Sequence, residues 1–329
     1  MKIIIFVDPN RIEKYKQYCD IPENLELIYL SQSTSDAEVL ECAKNADFIF
    51  ADAIKEISGY LIPNMPNLKL IHSEGVGFNR IDIEAAKRNG IYVCNNPGVN
   101  SGAVAEQTIM LMLGLQRKLI WGDHMVRTGK QIEAKESQIL EGITELGDCH
   151  VGLIGFGAIA KETAKRLISF GTKVSYYSRR RDSQEMEQEY NVEYMPLEEL
   201  ISKCDIISLH VPVTDETKEM VNKDFLNRMK QSALLINTSR GELVDQEALK
   251  ESLIQGKIAG AGLDTLTPEP VTLENPLLTL QPEAKGRVIF SPHIGGTTEG
   301  AFRKMHQGVW NNVRRVINGQ KPVNIVNGS

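Results

Sequence analysis

Short apolar runs bounded by Gly, Pro, Asn, Ser or Asp alternate along the chain with longer stretches whose apolar residues recur at helical spacing. Before residue 100 the runs are KIIIFV (2–7), ELIYL (26–30), DFIFA (47–51), LKLIHS (68–73) and IYVCN (91–95). A second series comprises VGLIG (151–155), KVSYYS (173–178), DIISLHV (205–211), ALLINT (233–238), IAGAGLD (258–264) and RVIFSPH (287–293). Strands buried on both faces read in this way, and the helical stretches between them supply the crossovers of parallel sheets. The pattern predicts an α/β protein with two parallel sheets, each doubly wound by helices. Ligands of such sheets bind beyond the carboxyl ends of the strands, so candidate site residues belong at the ends of these runs. Residues 103–129 read as one long helix, apolar on more than one face and therefore buried between domains or between subunits. Residues 300–318 read as another helix, and KPVNIV (321–326) as a last strand returning to the first domain.

Composition narrows the possibilities mainly by exclusion. With 329 residues the chain has room for two domains with substantial cores. Its 43 acidic and 37 basic side chains, net −6, give no reason to expect nucleic acid or an anionic membrane as partner. The one dense cationic cluster, Arg179, Arg180 and Arg181, is short. No apolar run approaches the ~20 residues of a membrane span, and the start MKIIIFVDPN meets Asp8 and Pro9 too soon for a signal segment, so a cytoplasmic protein is expected. Cys19, Cys42, Cys94, Cys149 and Cys204 are scattered and lack C-x-x-C spacing, which predicts reduced packing residues and no metal site.

The chemistry starts at VGLIGFGAIA, which is followed by KETAKRLISFG and TKVSYYSRRR: a strand, a glycine turn, an amphipathic helix and a second strand. In such a βαβ unit Gly155 permits the tight turn, Gly157 lets a pyrophosphate approach the backbone, and free N–H groups at the helix start meet the anion. The third glycine of the G-x-G-x-x-G pattern is replaced by Ala160, which adds a methyl where helix and strand pack. A dinucleotide site is the leading reading, with a purely structural turn as its alternative. Three further motifs end later runs: NTSRGELVD with Arg240, GLDTLTPEP with Asp264 and Glu269, and SPHIGG with His293. The planar fork of an arginine can hold a substrate carboxylate or polarise a carbonyl. A histidine can pass a proton to or from a hydroxyl, and a carboxylate on its other nitrogen fixes the tautomer and favours the protonated ring. Together the set suits hydride transfer between a nicotinamide and a 2-hydroxy or 2-oxo acid.

Each residue also has a plainer reading: Arg240 as a surface ion pair, Glu269 as an exposed loop carboxylate between prolines, His293 as a turn histidine. His72, His124, His150, His210 and His306 read as structural or surface residues. Glu74 precedes the Gly75–Gly77 turn and either faces the substrate, where it would disfavour a phosphorylated or multiply acidic one, or points to water.

Taken in order, EGVGFNRID (74–82), NNPGVNSGAVAEQT (95–108), the glycine turn, CDIISLHVPVTDETK (204–218), NTSRGELVD, GLDTLTPEP and SPHIGG cover nearly the whole chain. In that order they resemble the D-isomer-specific 2-hydroxyacid dehydrogenases, the family of glyoxylate/hydroxypyruvate reductases and phosphoglycerate dehydrogenases. The resemblance implies a Rossmann-like nucleotide-binding domain (100–299) inserted into a discontinuous, flavodoxin-like substrate domain (1–99 and 300–329). It implies that Arg240 binds the substrate carboxylate and carbonyl, that His293 is the acid/base and that Glu269 is its partner. The backbone at Val76 and Gly77 would hold the substrate carboxylate, with Val76 also touching the cofactor. Ala158 and Ile159 would meet the pyrophosphate, and Val211, Pro212 and Thr217 would line the adenosine side. Thr238 and Asp264 would lie near the nicotinamide ribose and amide, with Thr108, Ser239, Gly295 and Gly296 as further cofactor contacts. A homodimer is implied as well. Because the chain ends soon after its last strand, no C-terminal regulatory domain and no feedback by serine are expected.

The end of the second strand of a dinucleotide unit decides between cofactors. An acid there bonds the adenine ribose diol and repels a 2′-phosphate, whereas a neutral residue beside arginine accepts the phosphate. Here the position is Ser178, followed by Arg179 and Arg180, with Asp182 beyond. NADP is therefore expected to be preferred, with NAD the alternative if the arginines are merely solvated. The expected function is hydride transfer between NADP(H), or NAD(H), and a small D-2-hydroxy or 2-oxo acid such as glyoxylate or hydroxypyruvate. Two rivals stand beside it. One is a non-catalytic NAD(P)-sensing or scaffold protein, against which the intact Arg240, Glu269, His293 set argues. The other is a phosphite dehydrogenase-like enzyme; for formate oxidation the resemblance implies glutamine at the Glu269 position.

Overall fold

The computed structural model describes residues 1–52, 54–281, 284 and 286–328. The chain divides into two compact units, Met1–Asn100 with Thr297–Ser329, and Ser101–Gly296.

The first unit is built on a five-stranded sheet in the order β2-β1-β3-β4-β5, with β1 Lys2–Ile5, β2 Glu26–Tyr29, β3 Phe48–Ala51, β4 Leu70–Ser73 and β5 Tyr92–Cys94. Every strand pair is parallel. Because successive side chains point to opposite faces, the continuous apolar runs fill two cores at once. Ile4, Ile49, Ile71 and Val93 meet Val39 and Ala85 from two helices on one face. Ile3, Ile5, Phe48, Phe50 and Leu70 meet Ile12, Val309, Trp310 and Val313 on the other. The last three belong to the C-terminal helix Glu299–Ile317, which Thr298 caps by accepting from the Ala301 N–H.

The KPVNIV segment is not the strand its pattern predicts. Only Ile325 makes an antiparallel bridge, to Cys94, and the Val326 N–H donates to the Val93 carbonyl at 2.8 Å. Pro322 has no N–H to give a ladder, and side chains do the tethering instead. Asn312, 1% exposed, accepts from the Val323 N–H (2.8 Å) and donates to the Val323 carbonyl (2.9 Å) and to His72 Nε2 (3.0 Å). The His72 ring, pushed down to about 4 by burial and donating from Nδ1 to the Ser73 carbonyl, is a neutral acceptor in that arrangement.

The second unit holds seven parallel strands in the order β12-β11-β10-β9-β6-β7-β8. They are β6 His150–Ile154, β7 Lys173–Tyr177, β8 Glu193–Tyr194, β9 Ile206–Leu209, β10 Leu234–Asn237, β11 Gly260–Leu263 and β12 Val288–Phe290. The short edge strand β8 has no counterpart among the expected runs. Both sheets reverse direction once, between β1 and β3 in the first unit and between β6 and β9 in the second, and such switch points open a crevice for ligands.

The single long helix expected over 103–129 is two helices, Ser101–Gln116 and Leu119–Arg127. Lys118 between them lies at φ 47, a left-handed residue of the kind that ends helices, and its ammonium pairs with Glu141 of a third helix, Gln131–Glu141. The first helix is buried round most of its circumference, with Leu111 and Gly114 packing on Gly262 and Ile289 of β11 and β12.

Replacing Asn312 by Leu would strand the His72 acceptor in the core. Stability is expected to fall by about 1–3 kcal/mol, read as a lower urea midpoint with an unchanged slope; a wild-type midpoint would show that Asn312 tethers nothing.

Candidate active site

Gly155 follows β6 directly, at φ 95, and a Cβ on it would lie 2.4 Å from the carbonyl oxygen of His210, which follows β9. Only glycine fits this crossing of strand ends. The turn then delivers the helix Ala158–Ser169, whose N-cap Gly157 supplies no side-chain bond to the first N–H groups. A Cβ at Gly157 would meet nothing within 4 Å. Ala158 is exposed and Ile159 partly so, while Ala160 is fully buried, its methyl absorbed into the core beneath the helix. The result is a helix start with free donors and open space before it, as a pyrophosphate requires.

At the end of β7 the three arginines are not equivalent. Arg181 pairs with Glu187 at 2.7 Å and lies over the Tyr194 ring. Asp182 is held by Lys161 Nζ at 2.9 Å. Arg179 and Arg180 are exposed, with no carboxylate within 4 Å among the described residues, and the Ser178 hydroxyl donates to the Arg180 carbonyl. Val211 sits against Gly155, and Thr217 donates to the Pro212 carbonyl at 2.7 Å, closing the loop after β9. Burial pushes His210 down to about 4, and its Nε2 bonds Ser208 Oγ at 2.9 Å.

Arg240, Asp264 and His293 follow β10, β11 and β12, three adjacent strands. The Arg240 loop is shaped by Asn237, whose side chain donates to the Arg240 carbonyl and accepts from the Ser239 N–H, while Ser239 Oγ reaches the Leu209 carbonyl. The guanidinium is partly buried and bonds only the Ser239 carbonyl, with no carboxylate within 4 Å among the described residues. Thr238, beneath it, shares a 2.9 Å bond with Thr108, whose hydroxyl also donates to the Val104 carbonyl.

His293 is a left-handed residue at φ 54, a conformation that costs a side-chain-bearing residue about 1 kcal/mol. Asp264 holds it there. The Asp264 carbonyl accepts from the His293 N–H at 2.8 Å, and its 2%-exposed carboxylate accepts from Ser291 Oγ, from the Ile294 N–H (3.0 Å) and from the Gly295 N–H (2.8 Å). Gln107 donates to Ser291 Oγ and completes the brace. Asp264 is thus a clamp on the histidine loop, a role its motif alone did not reveal; the signal was an acid after one strand and a Ser two places before the His of the next. Gly295 is buried and Gly296 partly exposed beyond it. The His293 ring presents Nδ1 to both oxygens of Glu269, at 2.7 and 2.9 Å. Nδ1–H donates to the carboxylate, and Nε2 meets no partner among the described residues.

In the first unit the turn after β4 ties down four consecutive carbonyls. Asn96 Nδ2 donates to Glu74, the Asn96 N–H to Gly75, Asn95 Nδ2 to Val76, and Ser73 Oγ to Gly77. The N–H groups of Gly75, Val76 and Gly77 meet no acceptor among the described residues, and Val76 is 37% exposed. Successive backbone N–H groups in a turn can bind an anion where they converge. The Asn95–Asn96 pair behind it is a feature that sequence reasoning missed, although NNPG after a strand was its signal.

Glu74 resolves differently from either expectation. It is buried, 5% exposed, and its carboxylate is taken up within the first unit: Arg11 pairs with it at 2.5 Å and His306 Nε2 donates to it at 3.0 Å. A neutralised, buried carboxylate cannot act as an anionic wall. Among the described residues no group of three or more His, Cys, Asp or Glu is placed to hold a metal, and no helix is long and apolar enough to cross a membrane. The five cysteines are free, and Cys42 is exposed rather than packed.

The sequence and the fold are both similar to those of known proteins. The family model described as the NAD binding domain of D-isomer specific 2-hydroxyacid dehydrogenases matches residues 109–295. A glyoxylate reductase of Thermofilum pendens is 37% identical over 316 residues, covering 95% of this chain and 89% of the relative. The crystal structure of D-lactate dehydrogenase from Aquifex aeolicus, complexed with NAD and lactic acid, superposes with a TM-score of 0.84 at 29% identity, covering 100% of both chains. An acyclic imino acid reductase in complex with NADPH and D-Arg gives 0.80 at 28%, covering 99% of this chain and 100% of its own.

Asp264→Asn keeps the shape of the clamp but offers an NH2 to donors that need an acceptor. A loss of about 1–3 kcal/mol is expected, with faster amide exchange at Ile294 and Gly295 by hydrogen-exchange mass spectrometry; unchanged exchange there would refute the clamp.

Proposed function

The chain belongs to the D-isomer-specific 2-hydroxyacid dehydrogenases, NAD(P)-dependent oxidoreductases, and from that premise we propose that it reduces a small 2-oxo acid of the glyoxylate or hydroxypyruvate class with NADPH. The observation that carries the reading is the His293–Glu269 pair, which fixes the Nδ1–H tautomer and leaves Nε2 to face the reacting oxygen. In the reductive direction protonated His293 gives the Nε2 proton to the substrate carbonyl oxygen while Glu269 stabilises the imidazolium. Arg240, with no carboxylate within 4 Å among the described residues, orients the substrate and offsets the negative charge developing on that oxygen. The N–H groups of Val76 and Gly77, with that of Gly75, hold the substrate carboxylate. Thr108 and Thr238 support the nicotinamide side, and Ala158 and Ile159 at the uncapped helix start receive the pyrophosphate. Bound there, the nicotinamide supplies the hydride.

The preference for NADP rests on what the acid and the arginines do. Asp182 is neutralised by Lys161 and Arg181 by Glu187, which leaves Arg179 and Arg180 for a 2′-phosphate. The chain is also proposed to be a homodimer. Met110, Leu119, Ile120 and Phe170 leave large apolar side chains 47–64% exposed on the second unit, an area that a second copy would cover.

In protein that stays folded by circular dichroism, His293→Ala and Arg240→Ala are each expected to lower kcat/KM for the best 2-oxo acid by about 10²–10⁴-fold. Near-normal turnover in a folded His293→Ala variant would remove it from the reaction. For the cofactor, kcat/KM with NADPH is expected to exceed that with NADH by roughly tenfold to a hundredfold, the difference shrinking in Arg179→Ala. A higher value with NADH would overturn the assignment.

A further inference from the structure

Glu74 immediately precedes Gly75, Val76 and Gly77, whose N–H groups meet no acceptor among the described residues. Its main chain is fixed on both sides, the N–H donating to the Ala51 carbonyl at 2.8 Å and the carbonyl accepting from Asn96 at 2.7 Å. Its side chain is gripped by two elements from elsewhere in the same unit. Arg11, from the helix after β1, pairs with Oε2 at 2.5 Å and with Asp52 at 3.3 Å. His306, fully buried on the C-terminal helix, donates from Nε2 to Oε1 at 3.0 Å. The same helix reaches the turn a second way, since its Met305 carbonyl shares the Asn96 amide that holds the Glu74 carbonyl. The His306 ring is wedged against Tyr15 and Phe50, at 5.0 and 5.4 Å between centroids, and the Arg11 guanidinium lies over Phe302 at 5.1 Å.

A buried carboxylate is a liability beside a site for anions, because in a low-dielectric setting it repels what the N–H groups attract. Arg11, shared with Asp52, reduces that repulsion. Burial works to lower the Arg11 pKa, but the facing Glu74 and Asp52 outweigh it and the net shift is upward, so the guanidinium stays charged. With that charge offset, the remaining effect of Glu74 is geometric: its side chain ties the turn to two separate elements, the helix after β1 and the C-terminal helix. We propose that Glu74, held between Arg11 and His306, is a positioning residue that aims the Gly75, Val76 and Gly77 N–H groups at the substrate carboxylate. It touches no reacting atom. The inference rests on the reading of those N–H groups as the carboxylate's holder.

The test is steady-state kinetics of the intact enzyme with NADPH and two substrates, a 2-oxo acid and its uncharged 2-oxo amide. Arg11→Met leaves Glu74 uncompensated and held by His306 alone, and is expected to raise KM for the acid about tenfold or more while kcat and the KM for NADPH stay within about threefold. Arg11→Lys keeps the charge and should restore much of the loss. The double variant Arg11→Met with Glu74→Gln removes the stranded charge and should recover part of it, giving a non-additive cycle. KM for the amide should not respond to any of the three. An unaltered acid KM in Arg11→Met, or a parallel rise for acid, amide and NADPH with a lower Tm, overturns the positioning role and leaves the reading of the N–H groups intact. If the wild-type enzyme does not distinguish acid from amide, that reading itself fails and the proposal falls with it.

Discussion

Gly155 and the His210 carbonyl oxygen are so close that no side chain could stand between them. The contact sits where β6 and β9 run side by side while their connections leave in opposite directions, and the geometry of the second unit follows from it. The Gly155 N–H extends the pairing by donating to the Tyr177 carbonyl at 2.7 Å, so the chain leaves the sheet only after β7 has been satisfied. Phe156 then stacks on Tyr176 at 4.2 Å and anchors the turn from below. The helix that follows must start at Gly157 with its first donors facing open space. A bulkier residue at 155 would not merely crowd a ligand; it would separate two strands of the sheet that carries Arg240, Asp264 and His293.

The two units reach the same end, unpaired N–H groups at the carboxyl edge of a parallel sheet, by different routes. In the second unit the donors come free because any helix leaves its first four N–H groups without partners and no capping side chain takes them. In the first unit no helix starts at the turn, and the carbonyls are occupied one by one, which leaves the N–H groups as the turn's unmet main-chain polarity among the described residues. That requires two adjacent asparagines and a serine, all buried. A loop built in this way is costly in side-chain bonds but stiff, and stiffness is what a carboxylate site needs if orientation rather than affinity limits the rate.

How much of this was legible follows from the kind of signal each feature carries. The strand runs were legible because burial on both faces leaves no polar residue to interrupt them, as Ile3–Ile5 and Phe48–Ala51 illustrate. The segment after the C-terminal helix was misread because Val323 and Ile325 alternate with polar Asn324 as a strand would, whereas the bonds that hold it come from Asn312, eleven residues from Val323 in sequence. The break at Lys118 was hidden for a related reason: the apolar pattern on either side is helical, and a single left-handed residue leaves no trace in periodicity. Local sequence showed that Glu74 stood beside a turn but could not show that Arg11 and His306, 63 and 232 residues away, would enclose it. The motif order located Arg240, Glu269 and His293 at strand ends. That Asp264 spends its carboxylate on the histidine loop was visible only once β11 and β12 lay side by side.

The arginine run at the end of β7 shows why residue type alone is a poor guide to specificity. Three consecutive guanidinium groups suggest a triply charged patch, yet Arg181 is bound through two nitrogens to Glu187 and its pKa is held above the ordinary value by that contact. Asp182, the one acid that could have bonded a ribose diol, faces Lys161 instead. Ser178, which occupies the discriminating position, directs its hydroxyl into the Arg180 carbonyl and so shapes the loop. Under the proposed preference for NADP, Ser178 does not reject NAD by contact; it only fails to reject a phosphate. Discrimination then falls to Arg179 and Arg180, exposed charges whose attraction is screened over about 8–10 Å at ordinary ionic strength. Such selectivity is one of degree, stronger in dilute buffer than in salt, and it is consistent with a fold whose solved members include both an NAD and an NADPH complex.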